Sequence, residues 1–245
     1  MAGHGSIDLV TLSFVLIPIA LAAVLATADA IASQRLGEGR AARRRALVVV
    51  LSAASWMTVT WFAAARGILR NWDATPPPFA LLVAAMIALS CIIAFGPQGR
   101  RLALGVPLWM LVAVQSFRLP LELAMHAMYE RGVVPQQMTY SGWNFDIVTG
   151  MTAVVVAAMM RAGRAPRWIV AAWNVVGFAL LLNIVTIAIV STPRVQAFGP
   201  DRINVWVMDP PYVWLPAVMV LAALAGHLLI FRALSHAARS ESGRR

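Results

Sequence analysis

Hydrophobic residues in this chain come in long blocks. Seven run over Ile7–Ser33, Ala46–Leu69, Phe79–Phe95, Gly105–Arg131, Asn144–Arg161, Arg167–Ser191 and Tyr212–Leu234. Each holds about 17–27 residues, which as α-helix is about 25–40 Å, enough to cross the hydrocarbon of a bilayer. None has the period-two alternation of a transmembrane barrel strand. Alanine and leucine are abundant in them, and both favour helix. Breakers stand between the blocks: Thr75-Pro76-Pro77-Pro78, Gly96-Pro97, Gly132 with Pro135, Gly163 with Pro166, Gly199-Pro200 and Pro210-Pro211. The pattern predicts an all-α fold, a polytopic transmembrane bundle of seven helices forming one domain over residues 1–245.

Composition agrees. The 245 residues are 60% hydrophobic and only 12% charged, about half the charged share of a soluble domain, and the mean hydropathy is +0.76. The formal net charge is +10. Every basic residue is arginine, which excludes a lysine nucleophile, a retinal Schiff base and a P-loop. The single cysteine, Cys91, lies inside an apolar block and reads as a small buried hydrophobe.

The arginines set an orientation. Arg35, Arg40, Arg43, Arg44, Arg45, Arg100, Arg101, Arg161, Arg164, Arg167, Arg232, Arg239, Arg244 and Arg245 fall at one set of helix ends. Arg66, Arg70, Arg131, Arg194 and Arg202 fall at the other, and Arg118 lies within the fourth block. The positive-inside rule then predicts the N-terminus outside and the C-terminus cytoplasmic. It also explains the basic balance without nucleic acid; the bilayer is the expected partner. Ala28-Asp29-Ala30 resembles a signal-peptide cleavage site, but residues 1–6 hold no arginine and Arg40–Arg45 follow the block. That order favours an uncleaved first span. Trp72, Trp143 and Trp214 are expected at the outer interface, and Trp109 and Trp168 at the inner one. The long connection Thr192–Pro211 is expected to be an interfacial connector, with an outer cap as its alternative.

Ionisable groups inside spans are costly and point to function. Arg118, Glu122 and His126 form one stripe at i, i+4, i+8 on the fourth segment, with Gln115 on nearly the same face. An ion pair between Arg118 and Glu122 is expected. Pro120 removes the amide partner of the Ser116 carbonyl and predicts a bend, with Arg118 or water satisfying that carbonyl. Asn144 is a candidate N-cap for the fifth segment, and Asp146 would lie in its first turn; the alternative places Asp146 beside Glu122 or Arg118 at the outer mouth of the bundle. Asn174 and Asn183 face opposite sides of the sixth segment, and Asn183 is the expected pocket residue. Asp29 is expected to pair with loop arginines, and His227 to be a packing residue. His4, His126, His227 and His236 lack metal-ligand spacing, so no metal or cofactor is expected. No nucleophile elbow or HExxH motif is present.

Several of these residues carry a resemblance. Phe117-Arg118-x-Pro120-x-Glu122, Pro135, Met138-Thr139, Gly142-x-Asn144-Phe145-Asp146-Ile147, Trp173-Asn174, Leu181-Leu182-Asn183 and Val213-Trp214-Leu215-Pro216, with His227 beyond, cover about residues 105–235. The pattern resembles a family of uncharacterised multi-span bacterial membrane proteins; His126 is outside it. The resemblance implies a bacterial inner-membrane protein and no particular activity. The expected site is Gln115, Arg118, Glu122, Asn144, Asp146 and Asn183, opening outward between segments four, five and six. The leading expectation is a transporter, channel or binding protein for a small polar or anionic solute. The alternatives are an intramembrane enzyme acting on a lipid or isoprenoid, with Glu122 or Asp146 as general base, and a non-catalytic sensor or assembly partner.

Overall fold

The computed structural model describes residues 8–242, with side chains for 8–39 and 42–236. Ile7, His4, Arg244 and Arg245, and the side chains of Arg40 and Arg239, lie outside the described residues. Among the described residues the fold is helical and no strand occurs. The helices are α1 (Leu9–Arg35), α2 (Gly39–Ala65), α3 (Pro78–Phe95), α4 (Pro97–Gly105), α5 (Leu108–Val114), α6 (Arg118–Glu130), α7 (Asp146–Arg161), α8 (Arg167–Val190) and α9 (Leu221–Ser242). Six stretches are long and apolar enough to cross a membrane: Leu9–Arg35, Ala42–Ala65, Pro78–Phe95, Leu108–Glu130, Arg167–Val190 and Leu215–His236. The remaining predicted segment is α7, with 16 residues, about 24 Å of helix.

Around α9 the core is densest. It packs along α3, α8, α4 and α5, while α7 lies against α5, α6 and α8. The α1–α2 hairpin leans on this body through α1, which contacts α4 and α6, and through α2, which reaches the turn before α9. Most of its surface faces outward, as for a helix whose neighbour is lipid. Its polar end is stapled: Arg101 of α4 reaches Asp29 at 2.7 Å, Ser33 at 3.0 Å and Glu38 at 2.5 Å, and Gln98 adds a bond to Asp29 at 2.7 Å. Asp29 thus pairs with an arginine between the predicted spans, as expected, but that arginine lies on helix α4 rather than in a loop. The hydrogen bond from Arg101 holds the Glu38 carboxyl below the usual carboxylate range, and Arg45 acts in the same direction. Arg232 donates to the carbonyls of Ala94 and Gly96 at 2.7 and 3.0 Å and so caps the C-terminus of α3, where orphan carbonyls and the helix dipole favour a cation.

Two irregularities position the interior. The first is the joint between α5 and α6. Residues Gln115–Phe117 tighten to a 3₁₀ turn and α6 restarts at Arg118. Pro120 then lies in the first turn of a new helix, where its missing N–H costs no hydrogen bond. The second is a π-helical turn at Leu215–Val220 before α9. Its Ala217 carbonyl accepts from the Trp56 indole at 2.8 Å, and the Leu221 carbonyl accepts from Ser90 at 3.2 Å. Wide turns of this kind free carbonyls from the helix ladder and concentrate at functional sites.

The long connection before α9 corrects the expectation of an interfacial connector. Trp206, Val207 and Met208 are buried. The Trp206 ring lies edge-on to Phe14 and Tyr212 at 5.8 and 5.4 Å between centroids. Asn204 is also buried and donates to the Ala188 carbonyl at 3.3 Å. The segment is a cap drawn into this end of the bundle by its own apolar residues. The 131–145 connection does the same: Val134, Gln137, Met138, Thr139 and Asn144 are all buried.

Candidate functional site

A cluster of charged and amide side chains lies in the interior where α6, α7 and α8 meet. Arg118 is 1% exposed. Its Nη1 donates to Asp146 Oδ1 at 2.7 Å and to the Gly177 carbonyl of α8 at 3.4 Å. The expected Arg118–Glu122 pair is therefore replaced by Arg118–Asp146, and Arg118 turns to Gly177 rather than to the Ser116 carbonyl. Glu122 instead receives the Asn144 amide, whose Nδ2 stands 2.9 and 2.8 Å from its two oxygens.

The local sequence explains this exchange. Helix α7 begins at Asp146, one residue later than an Asn144 N-cap would place it, and Phe145 precedes it. Asn144 still caps from one residue further out, because its Oδ1 accepts the Asp146 N–H at 3.0 Å in an Asx turn. The same amide donates to the Met138 carbonyl at 3.0 Å. Asn144 thus ties the inward-folded connection, the start of α7 and Glu122 together. It also delivers Asp146 to Arg118 from the first turn of a helix, where the dipole favours a carboxylate.

Glycines allow the helices to approach this closely. A Cβ on Gly150 would stand 2.4 Å from the Leu119 nitrogen, so α7 lies directly on the α6 backbone. A Cβ on Gly177 would meet Thr149 Cγ2 and His227 Cε1, both at 2.8 Å. A Cβ on Gly226 would meet Gln115 Nε2 at 2.0 Å. These contacts bring Gln115, Thr149 and His227 to the inner side of Arg118. His227 and Asn174 form a reciprocal pair: His227 Nδ1 lies 2.7 Å from Asn174 Oδ1, and Asn174 Nδ2 donates to the His227 carbonyl at 3.1 Å. With the Asn174 amide oriented this way, Nδ1 carries the imidazole proton and Nε2 is an acceptor.

Several buried polar atoms of this region have no hydrogen-bond partner: Arg118 Nε and Nη2, Gln115 Oε1 and His227 Nε2. Leaving such groups unmet costs about 1–3 kcal/mol each. Of these residues only Arg118 lines the adjoining cavity, so the unmet groups that border it are donors.

A cavity of about 70 Å³ adjoins the cluster, bordered by Arg118, Glu122 and Asp146. By the rule that one water needs about 10–15 Å³ of such space, it has room for about five waters or as many ligand atoms. Its other walls are almost entirely hydrocarbon: Val83 and Met86 of α3, Leu181 and Ile184 of α8, and Pro216 and Met219 of the π turn. Ile189, also in the lining, is 42% exposed, so the cavity approaches the flank of the bundle beside α8. It was expected to open outward between segments four, five and six; it lies instead between α3, α6, α8 and α9. The capping segments at 133–144 and 206–208 cover the end toward which it was expected to open.

Of the residues expected from the sequence, Gln115, Arg118, Glu122, Asn144 and Asp146 come together and are buried. Asn183 does not. It is exposed and donates to the Trp143 carbonyl at 2.8 Å, a tether between α8 and the 131–145 connection. Asn174, on the opposite face of α8, is the one that turns inward. His126 sits at the rim, stacked on Tyr140 at 4.2 Å between centroids. Sequence reasoning missed Thr149, the Asn174–His227 pair and the glycine contacts. Polar residues on spans six and seven were a signal for the pair; nothing in the sequence fixed the depth at which they meet.

Residues 76–235 match the model of a family described as a domain of unknown function, DUF8737, and the chain belongs to that family. The matched span contains every residue of the polar cluster. No curated protein matches the chain, and no solved structure does.

Proposed function

We propose that the protein is a multi-pass membrane protein that binds a small, largely apolar ligand with a polar head. The apolar part occupies the cavity between α3 and α8, and the head meets Arg118, Glu122 and Asp146. One observation carries the reading: a buried guanidinium with two unpartnered nitrogens borders a cavity whose other walls are almost wholly hydrocarbon. The formal charge of the cluster is one guanidinium against two carboxylates, which disfavours a further anion. The head is therefore a hydroxyl or carbonyl rather than the anionic group also considered from the sequence. Asn144 holds Glu122 in place.

Related expectations keep their place in this proposal. The bundle crosses the bilayer seven times, with α7 as the short span, the N-terminus outside and the C-terminus cytoplasmic. The membrane is a bacterial inner membrane. Positive-inside arginines support the orientation. The unpartnered atoms weigh against a sensor whose polar cluster is self-satisfied, and the caps over the site weigh against an open channel. An intramembrane enzyme acting on a lipid or isoprenoid is the second reading, favoured by the two carboxylates at the cavity edge. Glu122 or Asp146 would then be the general base.

A short-chain alcohol bearing a diazirine, small enough for the cavity, is added to vesicles containing the full chain to test the proposal. Photolysis is expected to label peptides of α3 and α8, and Ala188→Trp, which fills the cavity, is expected to remove that labelling. Even labelling of all lipid-facing helices, unchanged by Ala188→Trp, refutes it. Chemical conversion of a bound isoprenoid alcohol, lost in Glu122→Gln, would select the enzymatic reading.

A further inference from the structure

A second cavity lies on another side of the bundle, in the angle between α1 and the α5–α6 span. It measures about 640 Å³, and its lining contains no charged side chain. One wall runs from Ile17 to Ala28 on α1 and the other from Trp109 to Pro120. Eleven residue steps of helix are about 16 Å. Half of a 30 Å hydrocarbon core is about 15 Å. The groove is therefore as long as one leaflet is deep, and it ends midway through the bundle.

Its two ends differ in chemistry. The far end, at Ile17 and Pro120, is apolar. At the other end Trp109 carries the Arg161 guanidinium over its ring, 5.3 Å from the centroid. Arg161 and Arg164 are exposed there, at the end of α7. Arg35, also exposed, closes α1 on the same side, where Gly105 lies so close that its Cβ would stand 2.6 Å from Ala32 Cα. The acids at this end, Asp29 and Glu38, are held by Arg101. A cationic, aromatic mouth on an apolar slot one leaflet deep is complementary to an anion carrying a hydrocarbon chain. A spanning helix from a second copy would need a groove along the whole thickness of the membrane.

We propose that this groove is a binding site for one anionic phospholipid, with the phosphate at Arg161 beside Trp109 and one acyl chain between α1 and the α5–α6 span. Phe117 lines both cavities. A chain filling the groove packs against the outer side of the 3₁₀ turn that sets the depth of Arg118, and so buttresses the interior site without touching it.

The test uses the full chain in detergent, observed by native mass spectrometry after stepwise delipidation, with phosphatidylglycerol and phosphatidylcholine as probes. One phosphatidylglycerol is expected to remain bound, with phosphatidylcholine retained at least fivefold less. Arg161→Gln is expected to weaken phosphatidylglycerol retention about fivefold, the effect of one interfacial arginine. Ala20→Trp fills the groove from the exposed face of α1 and is expected to abolish retention while melting temperature without lipid stays at the parent value. Equal retention of the two lipids, or retention unchanged in both variants, overturns the proposal. A lipid-free dimer that Ala20→Trp dissociates overturns it in favour of a second copy.

Discussion

Asparagine in place of Asp146 removes the counter-charge from a guanidinium that is 1% exposed, and changes little else. The amide still fits the first turn of α7 and still offers an oxygen to Arg118 Nη1, now 2.7 Å from the carboxylate. Breaking a buried ion pair by removing one partner costs about 3–5 kcal/mol. The lower end applies, because a hydrogen bond survives and Glu122 also acts electrostatically on Arg118. About 3 kcal/mol is expected, about a 150-fold rise in the unfolded fraction. Arg118→Met is expected to cost at least as much, because it leaves two carboxylates without a cation. The double variant leaves the Glu122–Asn144 contact intact and removes both members of the pair. It should therefore be more stable than the sum of the single effects by about 2 kcal/mol or more, since a neutral pair escapes the desolvation cost. Reversible unfolding by steric trapping in bicelles measures all three free energies. A single-variant cost under about 1 kcal/mol with no coupling would show that Arg118 and Asp146 do not form a buried pair, and the site would lose its central contact.

Two other perturbations test the surroundings of the site. Gly150→Ala places a methyl group 2.4 Å from the Leu119 backbone nitrogen, which α7 can relieve only by backing away from α6; overpacking of this kind costs about 1–3 kcal/mol, readable in the same unfolding assay. Glu38 tests the α1–α4 staple: its carboxyl is lowered by Arg101 and Arg45 in the folded state, so its contribution is complete above its ordinary value of about 4.3 and is lost as pH falls through the lower folded value. Melting temperature followed from pH 6 down to pH 3 is expected to fall less in Glu38→Gln than in the parent, and an identical fall would remove the staple from the account.

Six of the seven predicted spans were legible as helices long and apolar enough to cross a membrane, because a run of about twenty apolar residues has few alternatives in water or lipid. The Arg118–Glu122 stripe was legible for the same kind of reason: a four-residue spacing fixes a common face whatever surrounds it. What that face meets was legible only in part: Asp146 was a candidate neighbour of Arg118 or Glu122, but the way the partners divide was not readable. Glu122 finds Asn144 and Arg118 finds Asp146 because an Asx turn starts α7 inside the bundle, and one residue of helix boundary decides this outcome. The choice between Asn174 and Asn183 failed on rotation. Both sit on one apolar helix, and only the glycine contact at Gly177, set by α9, says which side of α8 turns inward. The cap at Trp206–Met208 was hidden for another reason. Its few apolar residues carry no length signal, and Trp206 is buried against Tyr212 and against Phe14, which is remote in sequence.

The depth of the site follows from glycine more than from charge. Ion pairs in hydrocarbon gain little net energy, because desolvation cancels much of the attraction. A guanidinium at Arg118 therefore needs neighbours brought to it by some other force. Gly150 lets α7 rest on the α6 backbone, Gly177 lets α8 present its carbonyl, and Gly226 lets Gln115 lie across α9. Close backbone approach through small residues is how helices associate where lipid removes the hydrophobic drive. The same tight packing leaves Arg118 Nε and Nη2 without protein partners, since filling them would need side chains that the glycines exclude. The unpaired donors are thus a consequence of how the site is assembled, and a ligand head that accepts from them would recover free energy that the packing alone leaves unused.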